Sequence, residues 1–279
     1  MAQHTIRGKP SRSKSALVGM EGVYVPLLTP FQRGALDHAS LAQLIAYTEP
    51  HVSGFVPCLS SGEGNLIGDT VWSEVIRTVR EHTRKPVIAG IKRASLQGTV
   101  TLAQQAAQLD CDAIMVPAPS ADEDDIIRYC TELAQRVSLP IALYNTEQHH
   151  LRTLGAVERL QHIPTLIGIK DSSMNSALFA EMCALRAAKA LRLSVLQGME
   201  HQMRTPKGCD GYVVALANVE PELCHEMFLK NSDAIGQRII DLFWRYNLGG
   251  QWYISLKAIL MERGILQSAE ETQVAISPP

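Results

Sequence analysis

From residue 22 onward the chain alternates between short stretches that are almost wholly apolar and longer ones in which apolar residues return every three or four positions. The short stretches fall at residues 22–28, 54–58, 86–91, 113–116, 140–144, 166–170, 193–197 and 211–214. A strand with one wet face alternates apolar and polar side chains, whereas a parallel strand covered on both faces reads as a continuous apolar run. The pattern therefore predicts parallel strands. The longer stretches carry stripes at helical spacing: Leu41, Leu44 and Ile45; Val71, Val75, Ile76 and Val79; Leu102, Ala106 and Leu109; Ile126, Ile127, Leu133 and Ala134. Each stripe lies along one face of a helix and needs a surface to cover.

Eight strands, each followed by a crossover, predict an α/β fold, a (β/α)8 TIM barrel with additional C-terminal helices. An open doubly wound sheet shares the same alternation and stays open on pattern alone. Helical stretches at about 220–230, 233–247 and 251–263 follow the last strand. The first is expected to be the eighth barrel helix. The other two, with Ile239, Leu242, Phe243, Leu256, Ile259 and Leu260, are expected to form a cap or an oligomer face. The expected division is a flexible arm over residues 1–19, a barrel over 20–230 and a helical extension over 231–279 packed on it.

Composition fits this picture. The chain has 279 residues, of which 46% are apolar and 19% charged, enough to bury the core of one large barrel. Lysine and arginine total 26 against 28 acids, a net charge of −2, which argues against nucleic acid or an anionic membrane as the main partner. No apolar run reaches the ~18–20 residues of a membrane helix. The basic stretch 1–16 (Arg7, Lys9, Arg12, Lys14) is broken by Gly8 and Pro10 and reads as a solvated tail rather than a targeting helix. The six cysteines are scattered without a C-x-x-C pair, which suits reduced thiols and a cytoplasmic protein.

In such a barrel the reacting groups project from the C-terminal ends of the strands. The sixth run ends in Ile169-Lys170-Asp171-Ser172-Ser173, the fifth in Leu143-Tyr144-Asn145, and the second enters Ser60-Ser61-Gly62-Glu63. An ordinary lysine is neutral for only about 0.04% of the time at neutral pH, so a nucleophilic amine needs a dry site. Lys170 closes an apolar strand where such a site is expected, and a neutral amine there can attack a ketone to form a Schiff base. Tyr144, on the preceding strand, can relay protons. Ser60 and Ser61 before a glycine offer hydroxyls and amides to a carboxylate. Lys92-Arg93 also ends a strand and competes as an anion holder or as the amine. Gly62, Gly64 and Gly68 miss the dinucleotide spacing by one residue, with no acid ending the next strand. His149 and His150 are adjacent and diverge, so no histidine metal site is expected.

Together these segments resemble the dihydrodipicolinate synthase / N-acetylneuraminate lyase family of class I, pyruvate-handling aldolases, over roughly residues 20–230. The resemblance is carried, in order, by Val25-Pro26-Leu27-Leu28-Thr29-Pro30-Phe31, Ser60-Ser61-Gly62-Glu63, Pro86-Val87-Ile88-Ala89-Gly90, Leu143-Tyr144-Asn145, Gly168-Ile169-Lys170-Asp171-Ser172-Ser173 and Ala217-Asn218-Val219. It implies a barrel, a dimer or more usually a tetramer, without metal or organic cofactor. Lys170 would form an imine with a 2-oxo acid, Tyr144 would shuttle protons, and Ser60 and Ser61 would hold the carboxylate.

The chain also departs from the family. Cys58-Leu59 stand where a glycine normally precedes the hydroxyl pair, which is expected to alter the loop backbone. His149 aligns with an arginine that grips the second substrate's carboxylate in the synthase branch. Pro117-Ala118-Pro119 replace a loop bearing a proton-relay tyrosine. Val213-Val214 replace an isoleucine-serine pair and make the mouth more apolar. Glu147, His149 and Lys92 are thus candidate groups peculiar to this chain. The expectation is a Schiff-base lyase, aldolase or dehydratase, acting on pyruvate or a related 2-oxo acid with an aldehyde as partner, and not dihydrodipicolinate synthase itself. The alternative is an inactive relative that binds a ligand or serves an assembly.

Overall fold

Every apolar run becomes a strand. In the computed structural model, which describes residues 17–250 and 252–272, the barrel strands are β1 (Gly22–Val25), β2 (Gly54–Phe55), β3 (Ile88–Gly90), β4 (Ala113–Pro117), β5 (Ile141–Asn145), β6 (Leu166–Asp171), β7 (Ser194–Gln197) and β8 (Gly211–Val213). The helices are α1 (His38–Thr48), α2 (Asp69–His82), α3 (Leu96–Gln108), α4 (Glu123–Arg136), α5 (Leu154–Leu160), α6 (Ser176–Ala187), α7 (Pro221–Lys230), α8 (Asp233–Arg245) and α9 (Trp252–Glu262). Five of them start where a side-chain oxygen accepts an otherwise free amide: Asp37 from Ser40, Ser95 from Gly98, Asp122 from Asp124 and Asp125, Thr153 from Ala156, and Asn175 from Leu178.

The strands pair in parallel in the order β2–β1–β8–β7–β6–β5–β4–β3. The two ends then meet. Phe55 bridges Val87, the Phe55 amide donates to the Pro86 carbonyl at 2.9 Å, and the Gly90 amide donates to Pro57 at 2.8 Å. These contacts close the sheet into a barrel and dispose of the open alternative. A short antiparallel hairpin, Phe31–Gln32 with Ala35–Leu36, follows β1 and was not legible in the apolar pattern.

Along each strand successive side chains face opposite ways. On β4, Ala113 and Met115 join an interior cluster with Tyr24, Val56, Leu59, Ile88, Ala142, Leu196 and Val213, while Ile114 and Val116 pack toward the helices. β6 breaks this alternation. Its register against β5 steps from Ile141 opposite Leu166 to Ala142 opposite Gly168, one extra residue on β6. Leu166 and Ile169 both pack outward and Ile167 inward; strict alternation from Leu166 would have turned Lys170 outward. The bulge re-aims the strand end and brings Lys170 to the inside.

The connection from β7 to β8 has, among the described residues, one 3-10 turn (Glu200–Gln202) in place of an α-helix. α8 packs against this turn, with the rings of Phe243 and His201 meeting edge to face at 5.0 Å. The short crossover thus admits the C-terminal extension to the barrel mouth. Of the expected arm, residues 1–16 lie outside the described residues. Leu17 packs against the interior cluster, and buried Met20 donates its amide to Ser194 Oγ at 3.0 Å. Among the described residues no helix is long and apolar enough to cross a membrane.

Candidate active site

Lys170 and Tyr144 stand opposite each other in register at the ends of β6 and β5. Lys170 is 5% exposed, and its Nζ lies 3.9 Å from the centroid of the Tyr144 ring. A ring face attracts an ammonium through its quadrupole and accepts a weaker N–H contact from a neutral amine. The adjacent acid is not its counterion: the Asp171 carboxylate is engaged by Asn145, whose Nδ2 donates to it at 2.8 Å. Burial pushes the Asp171 carboxyl up, with the Asn145 and Ser173 hydrogen bonds opposing.

The groups around Lys170 come from the loops after β6 and β7. A side chain at Gly198 would place its Cβ 2.7 Å from Lys170 Cε and 2.1 Å from Ser172 Oγ, so only glycine leaves room for the lysine arm. Ser172 Oγ is buried with no hydrogen-bond partner among the described residues. Glu200 is also buried and accepts from the Leu216 amide at 3.1 Å. Burial pushes the Glu200 carboxyl up; hydrogen bonds from backbone amides and the charge of Lys170 pull the other way.

Ser60 and Ser61 sit in a turn closed by the Glu63 amide on Ser60 O (3.1 Å) and the Gly64 amide on Leu59 O (3.0 Å). Cys58 and Glu63 adopt left-handed backbone, φ 60° and 56°. Leu59, which follows Cys58, fills the barrel interior with Tyr144 packed against the same cluster. Ser61 Oγ accepts the indole N–H of Trp252 at 3.2 Å.

One cavity of about 210 Å³ collects Lys170, Tyr144, Ser60, Ser61, Glu147 and Val213, with Ser172 and Glu200 beside them and Phe243, Leu248 and Trp252 above. His149 is not among them. It lines an outer chamber of about 570 Å³ that shares Ser60, Tyr144, Glu147 and Trp252 with the inner cavity. Its Nδ1 lies 3.3 Å from the Ala118 carbonyl. Lys92 and Arg93 line the same outer chamber. Arg93 binds Asp69 (2.9 Å) and the Gly64 carbonyl (2.9 Å) and so ties down the loop after β2 rather than offering a free cation. Among the described residues no three His, Cys, Asp or Glu side chains are grouped to hold a metal ion.

The model of the dihydrodipicolinate synthetase family matches residues 19–270, the barrel together with the helical extension. The chain belongs to that family. It is accordingly an enzyme, a class I lyase of the pyruvate-dependent, Schiff-base aldolase type. A 4-hydroxy-tetrahydrodipicolinate synthase of Thermomicrobium roseum is 30% identical over 254 residues, covering 87% of this chain and 81% of its own. Among solved structures, a monomeric dihydrodipicolinate synthase variant matches with a TM-score of 0.85 at 22% identity, covering 95% of this chain and 93% of its own. A 2-keto 3-deoxygluconate aldolase from Picrophilus torridus matches with a TM-score of 0.77 at 21% identity, covering 88% and 94%. At these identities the two structures speak for the fold. The relative from Thermomicrobium carries the synthase name, so the comparisons lend no support to the expectation that this chain stands apart from the synthases.

Sequence reasoning did not single out Gly198, Glu200 or Trp252. Gly198 and Glu200 directly follow β7, so the strand-end rule could have found them. Trp252 opens a helix distant in sequence, and its stripe announced only that the helix covers something.

Proposed function

We propose that this protein makes or breaks a carbon–carbon bond beside the carbonyl of pyruvate or a related 2-oxo acid through an imine on Lys170. The observation that carries this reading is the Lys170 amine, almost wholly buried at a strand end and held over the Tyr144 ring. The Nζ lone pair attacks C2 of the 2-oxo acid, a proton passes to the former carbonyl oxygen, and loss of water leaves the iminium. The iminium nitrogen is an electron sink: loss of a proton from C3, or cleavage of the C3–C4 bond, leaves an enamine. In the forward direction the enamine carbon bonds to the aldehyde carbon, whose oxygen takes a proton. Hydrolysis of the iminium then frees the product and the amine. Elimination of water from a hydroxylated 2-oxo acid uses the same intermediate. Tyr144 is the group that takes and returns these protons. Ser60 and Ser61 hold the carboxylate, Val213 supplies the apolar wall beside the reacting carbons, and Glu147 stands at the rim. His149 waits in the outer chamber for the far end of a longer partner.

The aldehyde in this proposal carries no carboxylate within the inner cavity. Its lining includes Glu200 and no lysine or arginine besides Lys170, which favours a neutral partner over the synthase's own second substrate. The named synthase relatives pull the other way. The same proposal places the enzyme in the cytoplasm as a dimer or tetramer, for which the exposed Leu229 on α7 and Trp244 on α8 offer apolar surface. The functional test is proton NMR of pyruvate and other 2-oxo acids in deuterated water. Exchange of the C3 protons by the wild type and none by Lys170→Ala is the expected result. Binding without exchange of any 2-oxo acid would overturn the imine on Lys170.

A further inference from the structure

We infer that Trp252 is a positioning residue of the carboxylate subsite: its indole N–H occupies the Ser61 oxygen so that the Ser61 proton is presented to the carboxylate of the 2-oxo acid. The inference rests on the imine reading for the identity of the ligand. Indole nitrogen is a donor only, so at 3.2 Å the Ser61 Oγ is the acceptor. A hydroxyl carries a single proton. With a lone pair engaged by the indole, the O–H turns away from Trp252, into the cavity that both residues line.

A second contact from the same helix supports this geometry. Lys257, also on α9, forms an ion pair with Glu63 in which both side chains are 0% exposed. Lys257 Nζ also donates to the Glu270 carbonyl at 2.8 Å, and the other Glu63 oxygen accepts the Thr272 amide at 2.6 Å. Helix α9 therefore holds the turn at two points, Ser61 through Trp252 and Glu63 through Lys257. The hydroxyl pair gets its aim from a segment at the other end of the chain.

Trp252→Phe keeps a ring over the cavity and removes the N–H. The probe is oxamate, a carboxylate whose amide carbonyl does not form an imine, titrated by calorimetry. The expected result is a 5- to 10-fold weaker oxamate Kd in Trp252→Phe, the range of about one hydrogen bond. Ser61→Ala is expected to weaken binding to a similar degree, with the double variant no weaker than Ser61→Ala alone. KM for pyruvate should rise by more than kcat falls, while the melting temperature, which a merely structural role would lower, stays close to that of the wild type. An unchanged Kd in Trp252→Phe overturns the inference, and so do additive losses in the double variant or a wild type that binds no oxamate. Oxamate binding that depends on Trp252 in a protein that exchanges no C3 protons would sink the imine reading and leave this one intact.

Discussion

The floor and the roof of the cavity are built in opposite ways. The floor is made of strand ends: Lys170 and Tyr144 are register partners on β6 and β5, and their positions follow from the barrel itself. The roof, Phe243, Leu248 and Trp252, comes from the helical extension, admitted by the short crossover between β7 and β8. The floor residues can be changed with little cost in packing, because each carries a reactive end on an otherwise framed strand. The roof helices hold the loop after β2 to the body of the protein, so losing the Trp252 contact disturbs ligand binding first, and stranding the buried Lys257–Glu63 pair disturbs stability first. Chemistry below and support above is the division that mutations should expose.

The largest effect is expected at the floor. Lys170→Met removes the nucleophile and is expected to lower kcat by about 10⁴-fold or more while the protein stays folded, as read by steady-state kinetics beside a thermal melt. A fall below tenfold would move the chemistry to another residue. Next comes the support. Lys257→Met leaves the Glu63 carboxylate buried without its partner, which costs about 3–5 kcal/mol, and adding Glu63→Gln should restore part of that loss in urea unfolding. If the single variant is as stable as the wild type, α9 does not brace the turn. Tyr144→Phe keeps the ring beneath the lysine and loses only the hydroxyl. Its kcat should drop by about 10² to 10⁴-fold with the oxamate Kd unchanged; a variant that turns over normally would take the proton relay away from this residue.

The smallest effect concerns pH. Glu200 has its carboxyl pushed up by burial. At acid pH it is neutral in both folded and unfolded chains. As pH rises past the ordinary value of 4.5 the unfolded chain ionises first, so this group's contribution to stability is present below that value and lost as pH climbs to the raised folded value. Glu200→Gln should therefore gain stability relative to the wild type between about pH 5 and about pH 7, read as urea midpoints at the two values. A difference independent of pH would show that Glu200 titrates normally.

These contrasts also explain what the sequence made legible. The eight strands were readable because burial on both faces leaves few polar residues in each run. Lys170 stood out because it ends one of those runs. Its inward aim was not readable, since it depends on the extra residue at Ile167-Gly168, which exists only in the pairing with β5. His149 shows the limit of the strand-end rule: it follows β5 closely, yet its ring turns to the Ala118 carbonyl in the outer chamber. The roof was hidden for a different reason. The stripes of α8 and α9 state that these helices cover apolar surface, but the partner of Trp252 is Ser61, 191 positions away.

The most direct test of the central claim is reduction with borohydride in the presence of pyruvate, followed by digestion and mass spectrometry of the peptides. The account predicts a single stable adduct on Lys170, absent from Lys170→Met. An adduct on Lys92 or Lys257 instead, or no adduct with any 2-oxo acid, would contradict it.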